Sequence, residues 1–178
     1  MANTKTKASS TTKSTTETKE PEKKFSPKDI DQSQYVPVLN GFHGRLVYIT
    51  REGEKYVWED YGDEQEMELR ELRNAKAAHK VFFESNWFMF SDDYSWVIDY
   101  LGVGNFYKHA LSVDGFDDIF KKSPSELKKL IGEMSKGQAL SVSYRARQLI
   151  LNGEIDSLKT IDALEDALHT EFVDRLDG

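Results

Sequence analysis

The chain has 178 residues, 38% of them hydrophobic and 31% charged, with a formal net charge of −7. That length suits one domain with room for a small second lobe, and the acidic balance argues against a nucleic-acid binder, which carries a basic excess. The absence of cysteine excludes disulfides, thiolate metal sites and a cysteine nucleophile; no apolar run approaches the roughly 20 residues of a membrane span, and no apolar signal core opens the chain, so a soluble, cytoplasmic protein is expected.

Residues 1–33 are Thr, Ser, Lys and Glu for the most part, with seven lysines against five acids. Such a segment cannot bury enough surface to offset its chain entropy, about 1–2 kcal/mol per residue. It reads as a disordered leader, or as an arm that orders on a partner or an anionic surface. Strands follow. "RLVYI" alternates, with Leu46, Tyr48 and Thr50 on one face and Val47 and Ile49 on the other. "REGE" places Gly53 in the turn and "KYVWE" returns, which together signal a hairpin. A hairpin alone is marginal. "EQEMEL" supplies a further strand, and "VPVL" an edge strand on which Pro37 is tolerated.

At residue 71 the period becomes helical. Leu72, Ala75, Ala78 or His79, Phe82 and Phe83 share one side, and "NWFMF" is a short apolar run that periodicity leaves open between a buried strand and a seam. "DDYSWVIDYLG" has an Asp cap candidate and Gly102 as its stop, and "NFYKHAL" repeats its apolar spacing. "SPSE" at 123–126 is a capping box with Pro124 at the first helical position. "ALSVSYRARQLILNG" and "DSLKTIDALEDALHTEF" are the last helices, the latter with Leu158, Ile161, Leu164, Leu168 and Phe172 inward. The expected fold class is α+β: a small antiparallel β-meander of three to four strands followed by a bundle of short helices, behind the disordered N-terminal tail. The expected divisions are 1–33, 34–90 and 91–178, with the helical lobe packed on the sheet.

Few constellations carry chemistry. Glu59, Asp60, Asp63 and Glu64, with Glu66 behind them, offer oxygen ligands, but not at EF-hand spacing. Adjacent strand residues also face opposite ways, so these carboxylates read as a solvated acidic rim or a partner-binding edge. His43, His79, His109 and His169 fall at no metal-ligand spacing. "GVGN" at 102–105 follows a helix, not a strand, and reads as a tight connection rather than a phosphate cradle. Tyr48, Tyr56, Trp58 and Tyr61 would suit a single-stranded nucleic-acid platform, but their acidic neighbours favour cross-strand packing. No catalytic residue, metal or cofactor is expected.

Residues 124–151 allow a helix-turn-helix, with Lys121, Lys122, Lys128, Lys129, Lys136, Arg145 and Arg147 as phosphate contacts. Two features count against it. The turn reads longer than usual, and the second helix has two apolar stripes, Val142–Ala146–Leu149–Ile150 and Leu140–Tyr144–Arg147–Leu151, as befits the centre of a bundle.

At "YVPVLNGFHGRLVY", "YGDEQEMELRELRNAK" and "SYRARQLI" the chain resembles small proteins encoded by tailed phages of Gram-positive bacteria, over residues 35–172. The resemblance implies a virion-associated or assembly protein in the host cytoplasm or the virion, with other phage proteins as partners and no catalytic residue. The functional expectation is a non-enzymatic interaction module. The alternative is a nucleic-acid-binding regulator that uses Lys128, Lys129, Lys136, Arg145 and Arg147.

Overall fold

Strand β1 (Tyr35–Asn40) buries Val36, Val38 and Asn40 and leaves the residues between them partly exposed, the period of two that a strand imposes. The computed structural model describes residues 30–173, so the leader expected at 1–33 lies outside the described residues except at its end. That end is tied down. Ile30 packs against the first core, the Asp31 carboxylate accepts the Ser33 N–H at 2.9 Å, and the Gln32 carbonyl accepts from Arg70 N–H at 2.9 Å.

The α+β class holds, with antiparallel strands first and helices after. The strands differ in detail from one meander: they make two sheets. β1 lies centrally between β4 (Glu64–Glu68) and β5 (Phe88–Met89), while β2 (Leu46–Ile49) pairs only with β3 (Lys55–Trp58). The hairpin is therefore an excursion between two paired strands. Asn40, fully buried, clasps its ends: its side-chain amide donates to the carbonyls of Gly44 and Asp60, both at 2.8 Å, and its oxygen accepts from Phe42 N–H. Trp58 joins the two sheets by donating its indole N–H to the Val38 carbonyl at 2.8 Å.

Pro37 thus sits on a central strand, not an edge. It survives there because of register. Asn40 bonds toward Gly62 and Asp63, and Gly41 toward Trp87, so Pro37 shares the orientation of Leu39 and Gly41, away from β4. β5 reaches only as far as Leu39, and no ladder bond is lost at the missing N–H.

Helix α1 (Leu69–Ala78) buries Leu69, Leu72 and Ala75. Ala78 and His79 are exposed, and α2 (Val81–Glu84) carries the apolar side on through Phe83. The run "NWFMF" proves to be a strand, β5. Helix α3 (Trp96–Leu101) stops at Gly102, whose φ of +64° closes it. Its first residues take no Asp cap; Ser95 precedes Trp96 instead. "NFYKHAL" is not a helix. Only a 3₁₀ turn forms, at Gly104–Phe106, because Gly102 and Gly104 interrupt propagation and Phe106 and Tyr107 are drawn onto the first core.

Beyond a further 3₁₀ segment (Phe116–Lys121) lie α4 (Pro124–Glu133), α5 (Lys136–Leu151) and α6 (Leu158–Leu168). The capping box at Ser123 and Glu126 forms as expected, and α4 and α5 both pack against α6. Leu158, expected inward, is 69% exposed at the first position of α6. Two buried clusters result. One joins the sheets to α1, α2 and α3 and extends through Val103. The other joins Phe116 and Ile119 to α4, α5 and α6. Apolar residues between 94 and 107 pack on the first cluster, while Tyr61, in the turn after β3, packs on the second, so the chain does not divide between them at one point.

Candidate interaction surface

The seam between the clusters is built by the loop after β1 and by α5. The Ser141 hydroxyl donates to the Gly41 carbonyl at 3.1 Å and accepts from His43 N–H at 3.4 Å. His43 stacks flat on Tyr61, with ring centroids 3.9 Å apart, and leans on Phe116. Burial and the nearby Arg145 guanidinium push its pKa down to about 4, so the imidazole is neutral at pH 7. Gly137 lets the first turn of α5 close on residue 85: a Cβ there would lie 2.2 Å from Ser85 Cβ. Gln138 then exchanges two hydrogen bonds with the backbone of Leu111. These side chains were not legible as a group, since each joins segments far apart in the chain.

The four carboxylates after the hairpin are placed close together but have separate tasks. Asp63 Oδ2 accepts from the N–H groups of Glu59 and Asp60, both at 2.9 Å, and Asp60 Oδ1 accepts from Tyr61 N–H. These bonds shape the turn that ends at Gly62 (φ +80°). Glu59 pairs with Arg45 at 3.0 Å in solvent, and Glu64 lies exposed on β4. Among the described residues no group of three or more His, Asp or Glu is placed to hold a metal. A second acidic feature escaped the sequence reading. Glu52, Glu54, Glu66, Glu68 and Glu71 line a groove of about 580 Å³ together with Tyr35, Tyr56 and Arg70, because the hairpin turn folds back beside β4.

The aromatics of the hairpin pack as cross-strand partners. Tyr48 faces Tyr56 and Leu46 faces Trp58; Trp58 is fully buried, and the Tyr48 hydroxyl donates to Glu71 at 2.6 Å.

The basic residues of α4 and α5 are dispersed. Arg145 grips Asp117 through Nε and Nη2, the shortest contact being 2.6 Å, and this hydrogen-bonded guanidinium holds the Asp117 carboxyl below its ordinary range despite partial desolvation. Arg147 donates to the Glu171 carbonyl at 3.3 Å and lies over the Phe172 ring. Lys128 pairs with Asp166 at 2.7 Å. Lys129 stands beside the groove between α4 and the 3₁₀ segment, and Lys136 is exposed at the start of α5. The α4–α5 link is only Met134 and Ser135, shorter than expected.

Helix α5 is also not the centre of a bundle. Its first stripe is buried at Val142, Ala146 and Leu149, but its second is open: Leu140 is 45% exposed, Tyr144 49% and Leu151 79%. At 100° per residue, Leu140, Tyr144, Arg147 and Leu151 fall within about 60° of one another, on the side opposite the buried stripe. Phe42 flanks this face edge-on to Tyr144, and Phe172 flanks it beneath Arg147.

Fold and surface together define an α+β protein of two joined cores with one apolar helix face left open. The chain matches no family model, no curated protein and no solved structure. No helix among the described residues is long and apolar enough to cross a membrane.

Proposed function

We propose that the chain is a non-enzymatic interaction module that works in assembly, and that the outward face of α5 is its docking surface. The observation that carries this reading is the exposure of Leu140, Tyr144 and Leu151 on one continuous helix face. Scattered exposed apolar residues are ordinary, but a contiguous stripe is a feature of interaction sites. The resemblance of residues 35–172 to small tailed-phage proteins supports a virion-associated or assembly role, in the host cytoplasm or the particle. Affinity capture from phage-infected cells tests it: wild-type protein recovers phage proteins, and Leu151→Glu recovers them at a fraction of the wild-type yield. Particles that lack the protein, together with captures identical for the two forms, would refute it.

Nucleic-acid binding through α4 and α5 is the less supported reading. A groove reader inserts the N-terminal part of its second helix, and here that turn is buried at Gly137 and Gln138. Arg145 is committed to Asp117. DNA affinity that falls steeply with salt and is lost in Arg145→Ala would restore it.

A further inference from the structure

The open stripe of α5 has a symmetry of its own. Leu140, Tyr144, Arg147 and Leu151 are spaced four, three and four residues apart, which reads the same in both directions. The spacing is also the a/d alternation of a helix-pair seam. A face of this kind is self-complementary when two copies pack antiparallel about a two-fold axis, as an isologous contact requires.

We infer that the partner of this face is a second copy of the chain, with α5 packed antiparallel on α5 about a two-fold axis between Arg145 and Ala146. In that register Leu140 meets Leu151 of the second copy, and Tyr144 meets Arg147 of the second copy. Both layers match chemically: leucine lies on leucine, and a guanidinium lies on an aromatic ring, a pairing Arg147 already makes with Phe172. The ends match too. Lys136, exposed at the start of α5, comes to the end of the opposite helix, where Glu154 and Asp156 stand exposed. The positive side chain there also meets the carbonyl end of the helix. A parallel pairing would instead set Arg147 on Arg147 and Lys136 on Lys136.

The size of the seam sets its strength. The twelve residues from Leu140 to Leu151 span about 16 Å, and a helix face about 10 Å wide over that length falls well short of the roughly 800 Å² per partner of a stable interface. Phe42 and Phe172 at the margins add to it, and the dimer is a weak, concentration-dependent one.

This inference rests on reading the α5 face as a docking surface, and the two are separable by experiment. Sedimentation velocity of the full chain across a concentration series is expected to show monomer passing to dimer, with the midpoint raised at least about tenfold in Leu140→Glu and in Leu151→Glu. Both positions are exposed, and circular dichroism confirms that the variants are folded. Because the chain has no cysteine, register is read by cross-linking. Leu140→Cys/Leu151→Cys is expected to oxidise to a covalent dimer. Leu140→Cys alone is not, since like positions lie about 16 Å apart in this register, beyond the roughly 7 Å between Cα atoms that a disulfide spans. A wild type that stays monomeric throughout, a dimer unchanged by both glutamates, or equal cross-linking of the single and double cysteine variants would overturn the inference. Capture of phage proteins that is lost in Leu151→Glu while the wild type stays monomeric would overturn the second copy and leave the docking surface standing.

Discussion

Ser141 and Gly41 lie 100 residues apart in the chain, and the serine hydroxyl donates to the glycine carbonyl at 3.1 Å in a buried contact. The same oxygen accepts from His43 N–H, so one small side chain on α5 satisfies two backbone groups at the start of the hairpin excursion. Ser141→Ala leaves both without that partner. A buried polar group deprived of its partner costs about 1–3 kcal/mol, so a destabilisation of that size is expected in urea unfolding, with the midpoint lowered. A loss below a few tenths of a kcal/mol would show that the two clusters do not depend on this link.

Two glycines of neighbouring helices make a paired test. Gly137 in α5 abuts Ser85, and a Cβ would meet its backbone carbonyl at 2.5 Å, whereas Gly132 in α4 has nothing within 4 Å. Gly137→Ala forces backbone apart and is expected to destabilise by about 1–3 kcal/mol. Gly132→Ala removes an entropic cost at an exposed helical position and is expected to stabilise by about 0.5–1 kcal/mol. Thermal unfolding of both variants checks the opposite signs; equal shifts would contradict the close approach at Ser85.

His43 makes stability pH-dependent. Its pKa falls from the ordinary 6.5 to about 4 in the folded protein, through burial first and Arg145 second. Between those values the unfolded chain binds the proton and the folded one does not, so stability declines as pH drops from about 6.5 to 4. The ring is only partly buried, and after allowance for screening the loss is about 1–2 kcal/mol. Asp117, whose carboxyl the Arg145 hydrogen bonds hold low, loses its contribution at still lower pH. His43→Phe keeps an aromatic stack on Tyr61 and removes the titration. Urea midpoints measured from pH 7 to 4 are expected to flatten in this variant, and an unchanged slope would assign the dependence elsewhere.

Local signals proved readable where the chemistry is local. The hairpin turn at Gly53, the capping box at Ser123 and the stop at Gly102 are each set by residues within a few positions of one another. Sheet order was not readable, because it hangs on Asn40 bonding to Gly44 and Asp60 at once, a single buried amide in a sequence with several others. The two stripes of α5 were visible as a pattern, but periodicity cannot say which stripe is covered. That depends on where Gly41, Phe116 and α6 come to rest. The pairing of Arg145 with Asp117 was invisible for the same reason: the residues are 28 apart, and the angle at which α4 and α5 meet between them is set by packing and not by any local signal.

The acidic knot after the hairpin can be divided by mutation. Asp63 accepts two backbone N–H groups at 2.9 Å, Asp60 accepts one, Glu59 pairs with Arg45 in open solvent, and Glu64 lies exposed on β4. Hydrogen bonds from backbone N–H to a charged acceptor contribute about 1.5–3 kcal/mol where they are shielded from solvent, and less where they are not. Asp63 is exposed, so Asp63→Ala is expected to cost about 1–2 kcal/mol, against a few tenths for Glu64→Ala and for Glu59→Ala, whose surface ion pair is worth little. Asp63→Asn keeps an acceptor oxygen and is expected to recover part of the loss. Chemical unfolding of the four variants distinguishes a turn that needs one carboxylate from a rim kept for a partner. Equal and negligible effects at Asp63, Glu59 and Glu64 would remove the structural account of Asp63 and leave partner binding as the reason for the cluster.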